Sequence, residues 1–424
     1  MVQRLVNGIA AGPFCALKDV WAHDDCTQEH NIIPETRKAQ PDYAQHLLTP
    51  VDYGYVPYDL ATALGPDNTH KTLRRQKLEP TRKVLHAQSL PMIRPTSKSQ
   101  TSNLKSVPRN SIGSPEDFLN LPWRVAGPSK TYLSNDSRQH YRMVVKEIGE
   151  PVYSLRNFTD IFTTIQGGWK GLRAIHRGNL VYRDVSGGNI LLMPASETLE
   201  RRGVIMDLEY AKDIDDIRAP CDMRTGTVAF MPTEVTYMKH HTLANLRSFL
   251  RMNNPPSEDL GRKRAKVAPL PPFRHNPLHD MESMWWLCIW MMLRLVPSNV
   301  SGKQYFRNYW MVFFDPLIKD EFFRHATKFL EYTARISIKP FTEIMNEWRD
   351  QLDILYFNSC KAQNALPGPL ERIQIDDTTL QLAYDFGSEN LKSLKAASME
   401  VTTNFVTMTE RHHQVPYDCA SQTF

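Results

Sequence analysis

Tyr182-Arg183-Asp184-Val185-Ser186-Gly187-Gly188-Asn189-Ile190-Leu191-Leu192 is the stretch that decides the fold. An Asp and an Asn stand five positions apart in a glycine-containing loop, and an apolar run opens right after the Asn. Phosphoryl transfer uses this spacing: the Asp accepts or orients the proton of an attacking hydroxyl, and the Asn gives an oxygen to a magnesium ion that bridges nucleotide phosphates. A D-x-x-x-x-N match arises by chance in many chains, so its surroundings have to carry the reading.

Upstream, Phe158, Ile161, Phe162, Ile165, Trp169, Leu172 and Ile175 recur at three- and four-residue steps behind Asn157, which predicts a capped amphipathic helix. Such a stripe is a core face, not a cofactor box. The helix is expected to end near Gly178 and a short strand over 179–182 to lead into the loop. Downstream, 190–193 and 203–206 read as two arms of a hairpin with 194–202 as its loop, and Asp207 follows the second arm. Asn189 and Asp207 are therefore the candidate metal ligands, hard oxygen donors suited to magnesium, and Asp184 is the candidate base. The phosphates also need a cation. Lys18 lies in an alternating segment over 14–21 that reads as a strand, and a helix beginning around Glu29, Ile32 and Ile33 offers it a carboxylate, with Glu29 the best placed and Glu35 the fallback. A further strand is expected over 140–148, where Tyr141, Met143 and Val145 alternate with their neighbours before Gly149-Glu150-Pro151 turns the chain.

The 424 residues, 41% of them hydrophobic, permit a large core. The most apolar window, 284–296, is too short for a bilayer and contains Arg294, so it reads as a buried helix. Asn7, Gly8 and Gly12 interrupt the start of the chain, which argues against a secretory signal and for an intracellular, cytoplasmic or nuclear protein. Six cysteines scattered without a CxxC pair fit a reducing compartment. His240-His241 and His412-His413 are read as surface pairs and not as a metal site.

The net charge of +5 is mild. Much of the basic character sits in 70–109, where ten Lys or Arg face one acid, Glu79, and Ser, Thr and Pro then dominate. Such a composition cannot bury a core and is read as a linker. A second unstructured insert is expected near 253–277, with Gly261-Arg262-Lys263-Arg264-Ala265-Lys266-Val267 at its centre. A solvated loop is preferred there over a localisation patch. No membrane or nucleic-acid partner is called. Helical patterns fill 278–295 and much of the chain to 362, and 380–394 has some periodicity without visible chemistry.

Arg224-Thr225-Gly226-Thr227-Val228-Ala229-Phe230-Met231-Pro232-Thr233-Glu234 resembles the end of a protein-kinase activation segment, and His279-Asp280-Met281-Glu282-Ser283 opens the apolar, Trp-rich helix. Together with Arg138-Gln139-His140-Tyr141-Arg142 and the 182–191 loop, these stretches are similar to the fungal-type protein kinase family over roughly 14–350. The resemblance implies an α+β, two-lobed protein-kinase-like fold, with a small, mostly β N-lobe and a larger, mostly α C-lobe. It also implies ATP and Mg2+ as cofactors and Ser/Thr of a protein as acceptor. Thr227 would hydrogen-bond near Asp184, Glu234 would anchor the segment, and Asp280 would brace the catalytic-loop backbone, cap its helix, or do both. The corresponding layout is a partial N-lobe over 1–65, a basic insert over 66–137, an N-lobe strand and hinge over 138–150, a C-lobe over 151–362 and a tail over 363–424.

Four departures bear on activity. Tyr182 replaces the usual His before Arg-Asp, Ser186 stands where Ser/Thr kinases place a phosphate-contacting Lys, and Asp207-Leu208-Glu209 replaces D-F-G. Lys18 lies so near Met1 that a complete glycine-rich loop has little room, and Gly8 and Gly12 do not match G-x-G-x-x-G. The alternatives are thus a pseudokinase scaffold, or a small-molecule phosphotransferase of the aminoglycoside-kinase type, which tends to carry a second acid at the position of Glu209.

Overall fold

A 15-residue strand, β2 (Ile9–His23), organises the first third of the molecule. A computed structural model of the chain describes residues 1–6, 9–23, 27–57, 138–216, 227–253, 269–334, 339–366 and 368–414. The basic run over 70–109 and the 261–267 stretch lie outside the described residues. Strand β1 (Val2–Val6) pairs antiparallel with β2, and β3 (Pro50–Tyr55) and β4 (Arg138–Val145) complete a four-stranded sheet ordered β1-β2-β4-β3. Lys18 sits opposite Met143 in the β2–β4 register. Successive side chains point to opposite faces, so Tyr141, Met143 and Val145 are buried while Arg142 is exposed, as the alternation predicts. Helix α1 (Glu29–Ala39) buries Ile32 and Ile33 with Glu29.

Helix α2 (Phe158–Arg177) forms where the periodicity places it. Asn157 Oδ1 accepts from the backbone N–H of Thr159 at 2.8 Å and of Asp160 at 3.2 Å, satisfying two donors that have no partner inside the helix. All seven residues of the predicted stripe are buried. Strand β5 (Glu150–Pro151), where a turn was expected, pairs with β7 (Ile190–Met193), which forms a hairpin with β8 (Arg202–Ile205). Strand β6 (Leu180–Val181) pairs with β9 (Lys212–Asp213). Helix α2 lies so close on the hairpin that a Cβ on Gly167 would stand 2.3 Å from the Gly203 carbonyl oxygen.

Helices α3 (Thr233–Tyr237), α4 (His241–Asn253) and α5 (Pro277–Arg294) follow. Every residue of α5 from Pro277 to Leu293 is buried, as a helix apolar on all sides should be. The unstructured insert expected to reach Pro277 stops earlier: Phe273, His275 and Asn276 are packed, and Asn276 caps α5. Beyond α5 come β10 (Leu295–Pro297), α6 (Lys303–Phe314), α7 (Pro316–Arg324), α8 (Ala326–Thr333), α9 (Lys339–Asn364), α10 (Asp377–Met399), β11 (Phe405–Thr407) and α11 (Met408–Gln414). One continuous buried cluster runs from Ile33 and Met143 through α2 and α5 to Tyr384 and Leu391 of α10. The architecture is thus mixed α and β, with helices around small antiparallel sheets. Among the described residues no helix is long and apolar enough to cross a membrane.

Candidate active site

Lys18, Glu29 and Asp207 meet beside the four-stranded sheet. Lys18 Nζ, carried on β2, lies 2.9 Å from Glu29 Oε1 on the first turn of α1 and 2.7 Å from Asp207 Oδ1 just past β8. The Glu29 contact is an ion pair rather than an aligned hydrogen bond, whereas the Asp207 contact is both. Glu29 is buried against Lys18, whereas Glu35 is exposed. Burial opposes the charge on Lys18, but Glu29 and Asp207 outweigh it and raise the ammonium above its ordinary value. Burial likewise raises Glu29, to about 7, against the attraction of Lys18 and with the added repulsion of Asp207. The lysine is therefore fixed and charged between two carboxylates.

Asp184 and Asn189 face each other within the loop. Asn189 Nδ2 donates to the Asp184 carbonyl oxygen and to Asp184 Oδ2, both at 2.9 Å. With Nδ2 engaged, the amide oxygen is the atom of Asn189 that could hold a metal. Burial raises Asp184 to about 6, helped by the nearby charges of Asp207 and Glu209 and opposed by the Asn189 hydrogen bond and Lys18. A carboxylate of that strength still ionises at neutral pH yet holds a proton better than an exposed Asp, which suits proton transfer. The backbone N–H of Met206 donates to the Asn189 carbonyl at 2.9 Å, tying the metal-ligand candidates together. Arg183 and Asp207 adopt left-handed backbone angles, φ 71° and 61°, a strain that persists only where surrounding contacts impose it.

Those contacts come from Tyr182, Ser186 and Asp280, and from His176 and His275, which the sequence did not single out. The Tyr182 hydroxyl donates to the Met206 carbonyl at 2.5 Å, joining the start of the loop to the segment that carries Asp207. Ser186 Oγ accepts from the N–H groups of Gly188 at 3.3 Å and Asn189 at 3.2 Å and so shapes the turn. Beneath the loop, Asp280 accepts from the Tyr182 N–H at 2.7 Å, the Arg183 N–H at 2.8 Å, His176 Nε2 at 2.9 Å and His275 Nε2 at 3.0 Å. Burial alone would raise Asp280, but His275, His176 and these hydrogen bonds hold it far below the ordinary carboxylate range. The brace is present, while the N-cap role belongs to Asn276.

Glu234 is buried, as an anchor requires, and accepts from the Thr242 N–H at 2.8 Å. His279 Nε2 and His240 Nδ1 each approach it at 3.4 Å. His240 is therefore a core residue and not the surface histidine expected from its pairing with His241, because its partner stands six residues back in the chain. The side chains of His412 and His413 are not among those described. Thr227 lines a small pocket with Arg183 and Val185, the residues on either side of Asp184, and its carbonyl accepts from Phe230 N and Met231 N. The preceding residues 217–226 lie outside the described set. An apolar-face histidine such as His176 is a signal that a buried partner exists, although the sequence does not say which.

The fungal protein kinase family model matches residues 9–292, more than half of the chain, which contains Lys18, the 182–192 loop, Asp207, Glu234 and Asp280. The chain belongs to the fungal protein kinase family. No curated protein matches it.

Proposed function

We propose that the chain is an ATP-dependent protein kinase that transfers the γ-phosphate to Ser or Thr of a protein. The observation that carries this reading is the fixed ammonium of Lys18, held between Glu29 and Asp207 beside a loop whose Asp and Asn are already paired. In this reading the four-stranded sheet with α1 is the small lobe and the helical remainder the large one. Lys18 neutralises nucleotide phosphates, and Asp184 orients the acceptor hydroxyl and takes its proton. The oxygens of Asn189 and Asp207 form a hard donor set that fits magnesium. When bound, the ion neutralises charge on the phosphates.

A scaffold role draws support from one observation: Ser186 spends its oxygen on the turn and leaves no cation at that position of the loop. Phosphoamino-acid analysis after incubation with Mg-ATP and casein separates the readings. Phosphoserine or phosphothreonine is the expected product. Phosphate recovered only on added sugars, choline or an aminoglycoside would overturn the protein-kinase reading, and transfer to none of these would favour the scaffold.

A further inference from the structure

Helix α10 lies beyond the stretch that matches the family model, yet it touches the brace beneath the catalytic loop. Tyr384, 1% exposed, presents its hydroxyl to His176 Nδ1 at 2.6 Å. The other nitrogen of that ring is 2.9 Å from Asp280 Oδ2, and the same oxygen accepts the Tyr182 N–H at 2.7 Å. Both ring nitrogens of His176 are therefore occupied. Ionised Asp280 can only accept, so Nε2 donates to it, and Tyr384 supplies the partner of Nδ1.

The phenol is held in turn by α2. The backbone carbonyl of Tyr384 accepts from Trp169 Nε1 at 3.3 Å, its ring packs at 5.2 Å from the Trp169 ring, and the Arg173 guanidinium lies 5.3 Å from the Tyr384 ring centre. Trp169, Arg173 and His176 stand at four- and three-residue steps and thus share one face of α2. Gly387 permits this closeness, since a Cβ there would come within 2.1 Å of the Trp169 ring. The C-terminal segment touches the site's frame at a second point. Arg372 donates to Asp215 and to the Ile214 carbonyl, and Asn179 Nδ2 donates to the same Asp215 at 2.7 Å. Two contacts thus run from 372–384 to the chain on either side of the catalytic loop.

We propose that Tyr384 is a positioning residue for the catalytic loop, acting through His176 and Asp280 on the backbone of Tyr182 and Arg183, so that the C-terminal segment is part of the catalytic apparatus. This rests on the phosphotransfer reading for its consequence but not for its geometry. Loss of the hydroxyl leaves Nδ1 of a buried imidazole without its partner, and the ring regains the freedom to turn away from Asp280. The loop then loses its register with Lys18 and Asp207, which lowers turnover more than nucleotide affinity.

The test uses the full chain as wild type, Tyr384→Phe and Leu394→Val, the last removing a methylene from a fully buried position of the same helix. Amide hydrogen exchange at Tyr182 and Arg183 should quicken roughly tenfold in Tyr384→Phe and stay unchanged in Leu394→Val. In the same variant kcat for phosphate transfer to casein should fall roughly tenfold with KM for ATP held within about twofold. Unchanged exchange at these two amides in Tyr384→Phe, or an equal rise in Leu394→Val, would overturn the proposal by reducing α10 to a general buttress. If the wild type transfers no phosphate, the kinase reading fails, and the exchange measurement still decides the positioning role.

Discussion

Lys18 Nζ and Asp207 Oδ1 lie 2.7 Å apart although 189 residues separate them. The fold makes that contact from two sides: β2 brings the amine, and Asp207 follows the exit of the β7–β8 hairpin. The same amine holds Glu29, so a single substitution disturbs both. Lys18→Met should lower phosphate transfer roughly 10²-fold, the usual cost of losing one preorganised charge at the reacting phosphates. Initial rates at saturating Mg-ATP check this, and a rate within about twofold of wild type would show that Lys18 is only structural.

In the proposed reading Asp184 links activity to stability with opposite signs. Its folded-state value is raised from 3.8 to about 6, mainly by burial, so the folded protein binds the proton more tightly than the unfolded chain. The stabilising contribution is fully present below about pH 3.8 and is lost as pH rises through about 6. Proton acceptance needs the opposite form, so kcat/KM should rise with pH through about 6 and then level.

Asp184→Asn removes that buried charge. The variant should melt at a higher temperature than wild type at pH 7.5, by up to roughly 3 kcal/mol of stability, with the advantage vanishing near pH 4. Thermal melts across this range test the sign. A variant less stable than wild type at pH 7.5 contradicts the burial argument.

Asp280→Asn keeps the volume and removes the charge that four donors share. One carbonyl oxygen cannot serve two backbone amides and two imidazoles, so about 3–5 kcal/mol of stability should be lost, as when a buried ion pair is broken. Urea titration measures the loss. A loss below about 1 kcal/mol would mean that the loop is held elsewhere.

Gly387→Ala tests whether α10 belongs to the folded unit. The added methyl meets the Trp169 ring, and neither helix can shift without disturbing the other's buried side chains. A destabilisation of about 1–3 kcal/mol is expected, seen by urea titration together with faster proteolysis after α9.

Much of this was legible in the sequence because local patterns carried it. Asn157 and the α2 stripe, the hairpin after Asn189 and the strand alternation around Tyr141 are all short-range signals, and each lies where the pattern puts it. Lys18 with Glu29, and Asp184 with Asn189, followed from spacing and from the chemistry they would share. What stayed hidden depends on long-range partners. His240 reads as surface until Glu234 is beside it, Asp280 reads equally as a cap until the amides of Tyr182 and Arg183 are seen on its oxygens, and Tyr384 is one more apolar-face residue until it meets His176. Segment 269–276 looked unstructured because prolines dominate it, yet Phe273 and His275 are drawn into the core by contacts no window of sequence contains.

The most direct test of the central claim is transfer of the labelled γ-phosphate of ATP to casein in the presence of magnesium, by wild type and by Asp184→Asn. The account predicts incorporation on Ser or Thr by the wild type and a rate lower by at least about 10²-fold in the variant, with the variant still folded. Equal incorporation by the two proteins, or none by a wild type that binds Mg-ATP, would contradict it.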